Sequence, residues 1–147
     1  MAKDIDFMTA GPQMDALMVT DVLHQRLYRH DLPGDYDAWE ERADKGERVF
    51  FQDDAGTIWA SSVEDRFNAW SPSNKIAAAW EVVQKLESLG WELSLSKRSG
   101  IFYCSFGRPE WVMNNWYAAG TLPLSQSDTA MLAICRAAYK VVNAPSA

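Results

Sequence analysis

At 147 residues the chain has room for one domain with a single core. Apolar residues make up 48%, with seven Trp, which excludes a disordered chain. The formal net charge is -6 and the 14 Lys and Arg are scattered, so counterion release offers little and duplex nucleic acid is excluded as the main partner.

No run of about 18 apolar residues exists, so no membrane-spanning helix is predicted. Asp4 and Asp6 stand where a secretory signal would be apolar, and a cytoplasmic protein is expected. Residues 1–11 and 143–147 read as loose tails of a single domain spanning 1–147. From Gln13 to about Tyr28, Met14, Leu17, Met18, Val22, Leu23 and Leu27 recur at helical spacing, and "HDLPGD" stops the helix. Residues 36–47 read as a short helical turn or a loop. "RVFFQDDAGTIWASS" then reads as a hairpin around "DDAG".

The segment "AWSPSNKIAAAWEVVQKL" (69–86) carries the strongest helix signal. Ile76, Trp80, Val83 and Leu86 form an apolar stripe, and Ala77, Ala78 and Ala79 add propensity. Ser71 is the expected N-cap with Pro72 at the first helical position, Ser73 is the competing cap, and Gly90 ends the helix. "WELSLSKRSGIFYCSFG" is a second hairpin, and a last helix begins near Ser127, with Met131, Ile134, Cys135, Ala138 and Val142 on one side. Residues 108–124 are aromatic and broken by Pro109, Gly120 and Pro123, which suits a partner-facing loop or a short helix between breaks. The resulting expectation is an α+β fold of order α-ββ-α-ββ-α, an antiparallel sheet from two hairpins packed between helices.

Three segments resemble the phage ABA sandwich domain family: "MDALMVTDVL" (14–23), "SPSNKIAAAWEVVQKLESLGWELSLS" (71–96) and "TAMLAICRAAYKVV" (129–142). The resemblance implies helices on both sides of a sheet and a phage protein acting in the host bacterial cytoplasm. It implies no activity. The hairpin at 46–62 and the segment 108–124 stand out as the parts most individual to this chain.

His24 and His30 are six apart, no Cys or His cluster has zinc spacing, and "DDAG" lacks the twelve-residue calcium pattern, so no metal or cofactor is expected. No nucleophile elbow or P-loop occurs. Cys104 and Cys135 lie in apolar stretches and are expected to be buried and reduced.

The candidate ligand site is the start of the central helix. A helix N-terminus offers unpaired N–H groups and partial positive charge, to which Ser71, Ser73, Asn74 and Lys75 would add donors and a cation. The same residues also serve simply as caps, and both readings stay open. Trp70 or Trp111 would take a flat base; Asn114, Asn115 and Trp116 accompany Trp111, and Arg98 at the second hairpin's tip would reach a phosphate. The leading functional expectation is a non-enzymatic phage accessory protein that binds a small anionic, nucleotide-like molecule, as in sequestering a signal of host defence. The alternative is an acidic module that binds and inhibits a host protein. A carboxylate enzyme acting on nucleotides is the third class, and self-association is an open expectation.

Overall fold

In the computed structural model, residues 5–61, 68–108 and 124–143 are described. The chain is α+β, as expected, but its strands form two sheets rather than one. In the first sheet β1 (Leu27–Arg29), β2 (Val49–Gln52), β3 (Ile58–Ser61) and β4 (Asn68–Ala69) lie side by side in that order. The second contains β5 (Glu92–Arg98), β6 (Ile101–Gly107) and β7 (Ser125–Ser127).

Helix α1 (Pro12–Leu17) continues as a π-helical turn over Met18–Val22, and the helix is over by Leu23, well short of Tyr28. His24 takes a left-handed backbone, φ 53°, and the chain leaves as β1. Strand pairing overrides the helical spacing at Leu27 and Tyr28: β1 runs parallel to β2, with Leu27 opposite Phe50 and Tyr28 opposite Phe51. A parallel pair needs a crossover, and α2 (Asp35–Asp44) supplies it, filling a segment for which helix and loop were both open. Asp35 fixes the corner by accepting from Arg29 N and from Arg26 Nη2, both at 2.9 Å.

The first sheet is covered on both faces, which is the sandwich. Tyr28, Val49 and Phe51 pack with Trp39 and Ala43 of α2; Trp39 meets Phe51 with ring centroids 5.5 Å apart. On the other face Phe50, Ile58 and Ala60 join Met14, Met18, Val19 and Val22 in the main core. That core also takes Ala78, Ala79, Val82, Val83 and Leu86 of α3 (Ile76–Ser88), Ala133, Ala137 and Ala138 of α4 (Ala130–Val142), and Cys104 and Phe106 of β6.

The stripe expected on α3 is therefore rotated. Val83 and Leu86 are buried, but Ile76 is 54% and Trp80 45% exposed. Ala78 and Ala79 turn inward because α3 packs against the Ala-rich face of α4, where small side chains let two helices approach closely. Gly90 does end α3: its N–H donates to Glu87 O and the Trp91 N–H to Leu86 O, both at 3.0 Å, a Schellman closure with φ 92° at the glycine. At the second hairpin Ser99 and Gly100 both have positive φ, 54° and 80°, the geometry of a type I′ turn. Part of the expected N-terminal tail is docked: Ile5 belongs to the main core.

Burial predicts a contrast. Leu86→Ala should lower the unfolding free energy by about 2–5 kcal/mol. Trp80→Ala should change it by less than about 0.5 kcal/mol. Urea denaturation of the two variants checks the rotated stripe.

Candidate functional site

The residues before α3 do not cap it. Residues 72–74 form a turn closed by the N–H groups of Asn74 and Lys75 donating to Ser71 O, and the helix begins only at Ile76 with Lys75 as N-cap residue and no side-chain cap. The two serines instead hold an internal anion. Asp15 of α1, 3% exposed, accepts from Ser71 Oγ at 2.6 Å, from Ser73 Oγ at 2.7 Å and from Ser73 N at 2.9 Å. Ser73 Oγ in turn accepts from Gly11 N at 2.9 Å, and Ser71 Oγ from Asn74 Nδ2 at 3.1 Å. A carboxylate thus occupies the place where an outside anion was expected, and the donors of Ser71 and Ser73 are committed to it.

The other expected site residues do not gather there. Trp70 is 5% exposed, donates through Nε1 to Glu81 Oε1 at 3.3 Å and lies against the Phe50 ring, so its face is unavailable for stacking. Asn74 and Lys75 are exposed, and Arg98 is exposed at the tip of the β5–β6 hairpin. Trp111, Asn114, Asn115 and Trp116 lie outside the described residues.

A second place has the character of a site. Arg136 of α4 stretches between two backbone carbonyls, donating from Nη1 to Gln126 O at 2.7 Å and from Nη2 to Met8 O at 3.0 Å. Neither acceptor is charged, and among the described residues no carboxylate pairs with this guanidinium. Its Nε is buried without a partner, as is Ser125 Oγ. Both residues line a cavity of about 430 Å³ with Asp6, Phe7, Leu124 and Gln126. Phe7 stands at its edge, 83% exposed. One turn further along α4, Lys140 pairs with Asp6 at 2.8 Å and donates to Leu124 O at 2.9 Å, so Asp6 is already neutralised. The cavity is left with one unbalanced positive charge.

A second cavity, of about 290 Å³, shows the contrast. Its Arg48 is gripped by the Glu81 carboxylate through two hydrogen bonds. That cation is spent on joining β2 to α3.

Sequence reading missed Arg136 because a single Arg on an amphipathic helix has the look of a solvated residue. Only the fold brings it to Ser125 and to the docked N-terminal segment. Among the described residues no group of three or more His, Cys, Asp or Glu is placed to hold a metal ion. Both thiols are buried; burial pushes Cys104 up to about 12 and Cys135 well above its ordinary value.

The profile of the phage ABA sandwich domain matches residues 47–139. The chain belongs to that family. Ser71–Lys75 and Arg136 both fall inside the match, as do all of 108–124 and the 46–62 hairpin but for its first residue, while the helix at 14–23 falls outside it. No curated protein and no solved structure matches the chain. No helix among the described residues is long and apolar enough to cross a membrane.

Two outcomes are expected. Burial raises the Asp15 carboxyl above its ordinary 3.8, against the lowering effect of the Ser71 and Ser73 hydrogen bonds. Protonation therefore favours the folded chain: the contribution of Asp15 to stability is full below 3.8 and is lost as the pH rises through its native value. Asp15→Asn should gain stability relative to wild type across that rise, read from urea midpoints at pH values on either side. Neither Cys104 nor Cys135 should react with a thiol reagent in the native protein, and both should react once it is unfolded.

Proposed function

We propose that this phage protein binds a small molecule bearing one oxyanion, at Arg136 rather than at the start of α3, and performs no chemistry on it. The observation that carries the reading is the guanidinium without a carboxylate, set beside a buried hydroxyl without a partner in one cavity. Leaving buried polar atoms unsatisfied costs free energy, and an oxyanion beside the half-buried Arg136 would offset that cost and match its charge. Arg offers a planar fork suited to phosphate or carboxylate. The cavity's volume lies within the range usual for small-ligand sites.

Phe7 supplies the flat apolar face that Trp70 cannot, so a nucleotide-like ligand would set its phosphate at Arg136 and its base against that ring. Asp6 on the wall is paired with Lys140, so Arg136 alone is left to hold an oxyanion, which points to a ligand with a single anionic group. The role in keeping with this is capture of a nucleotide signal of host defence in the host cytoplasm.

Titration calorimetry against a panel of nucleotides and small carboxylates tests the reading. At least one ligand should bind the wild-type protein, Arg136→Lys should weaken it by roughly tenfold or more, and Phe7→Ala should weaken nucleotides by a factor of about 5–150. Phe7 is exposed, so its removal leaves the fold in place. Flat traces across the panel would overturn the proposal.

A further inference from the structure

Strand β5 is an outer strand of the second sheet, seven residues long, and no described strand lies on its far side. Its register with β6 runs unbroken from Glu92 opposite Gly107 to Arg98 opposite Ile101, with no bulge, and it contains no Pro. Bulges and prolines are among the devices that blunt a sheet edge. The Arg98–Ile101 pair closes the two-residue turn and exchanges hydrogen bonds, so Glu92, Ser94, Ser96 and Arg98 direct their backbone groups to β6. The N–H and C=O groups of Leu93, Leu95 and Lys97 therefore point off the sheet, and among the described residues no backbone hydrogen bond meets them. Lys97 does not guard the edge with its charge: its Nζ leans back over the Phe102 ring of β6, 5.1 Å from the centroid. Glu92 and Arg98, at the two ends of the strand, are exposed, and neither takes part in an ion pair among the described residues.

We propose that β5 pairs antiparallel with β5 of a second copy of the chain, about a two-fold axis at Leu95. In that register Leu95 lies opposite Leu95 of the other copy and Leu93 opposite Lys97, so every outward backbone group of the three residues finds a partner. Glu92 then lies opposite Arg98 at both ends, on one face of the sheet, since the two positions are an even number of residues apart. A slip of two residues either way sets Glu92 against Ser96 or Gly100 and loses both charge pairs. Leu95 is 38% exposed and sits opposite Cys104, on the face turned to the main core; its counterpart across the axis covers it. The two small sheets become one continuous sheet. Seven residues of strand span about 23 Å. A contact centred on one such edge falls below the usual size of a permanent interface, so the dimer is a concentration-dependent one.

Sedimentation velocity of the full chain from micromolar to about millimolar concentration reads the assembly, and amide hydrogen exchange by NMR reads its place. The wild-type protein should pass from monomer to dimer, and the amides of Leu93, Leu95 and Lys97 should gain protection as it does. Glu92→Arg and Arg98→Glu should each weaken dimerisation by roughly tenfold or more, because the two-fold repeats each like-charge pair at both ends. An equimolar mixture of the two should dimerise, since each now complements the other. Leu95→Pro should abolish the dimer: it removes the donor on the axis and costs β6 no bond. Glu92 and Arg98 are exposed, so their exchange leaves the fold in place and the test stands even if Leu95→Pro fails to fold. A wild-type chain that stays monomeric throughout would overturn the proposal, leaving the edge to another extended segment. So would a dimer that leaves these three amides unprotected or is indifferent to the single reversals, or a mixture that fails to pair.

Discussion

One carboxylate joins the two halves of this chain. Asp15 sits on the first helix, and every donor it receives comes from the short turn that precedes α3, more than fifty positions later in sequence. Taking a carboxylate out of water is costly, and two hydroxyls and an amide offset that cost only while the helix and the turn keep their relative place. Met14, Met18 and Val19 are carried with Asp15 into the core, so a polar contact sets the register of an apolar one. A polar cluster that looks like a ligand cradle in sequence is in this protein a fastening.

The distinction rests on bookkeeping of charge. Ser71, Ser73 and Asn74 have the composition of an anion site, and an anion is indeed held there, but it is the protein's own. Arg48 has the composition of a binding cation, and Glu81 satisfies it. Arg136 has nothing comparable: two neutral carbonyls share its charge, and its remaining buried N–H points at no acceptor. Compared across these three places, an unmatched charge separates a candidate site from structural polarity.

Much of the fold was legible in the residues. Both hairpins, the closing helix and the glycine stop at Gly90 follow from turn chemistry and periodicity, because those signals are local. What could not be read depends on contacts between distant segments. Tyr28 continues a helical pattern until β2 captures it as a strand. Two overlapping stripes run along α3, one through Trp80 and one through Ala78, Ala79 and Val82, and both include Val83 and Leu86. Only the Ala-rich face of α4 decides between them, since it admits methyl groups and leaves no room for an indole. Of the candidate site, the serine turn was found and its partner was not, since Asp15 looks like an ordinary favourable charge in a first helical turn. Arg136 gave no sign at all.

The reach of α1, β1 and α2 bears on where this fold can be cut. The family's matched residues start at 47, after all three of these elements. Yet α1 and its π-helical turn bring Met14 and Met18, both wholly enclosed, and α2 brings Trp39, the largest fully enclosed side chain among the described residues. A recombinant fragment trimmed to the matched boundaries would bare both faces of the four-stranded sheet and strip it of one outer strand. The autonomous folding unit is thus wider than the recognisable domain, and relatives with a different leading segment must shield those faces by other means.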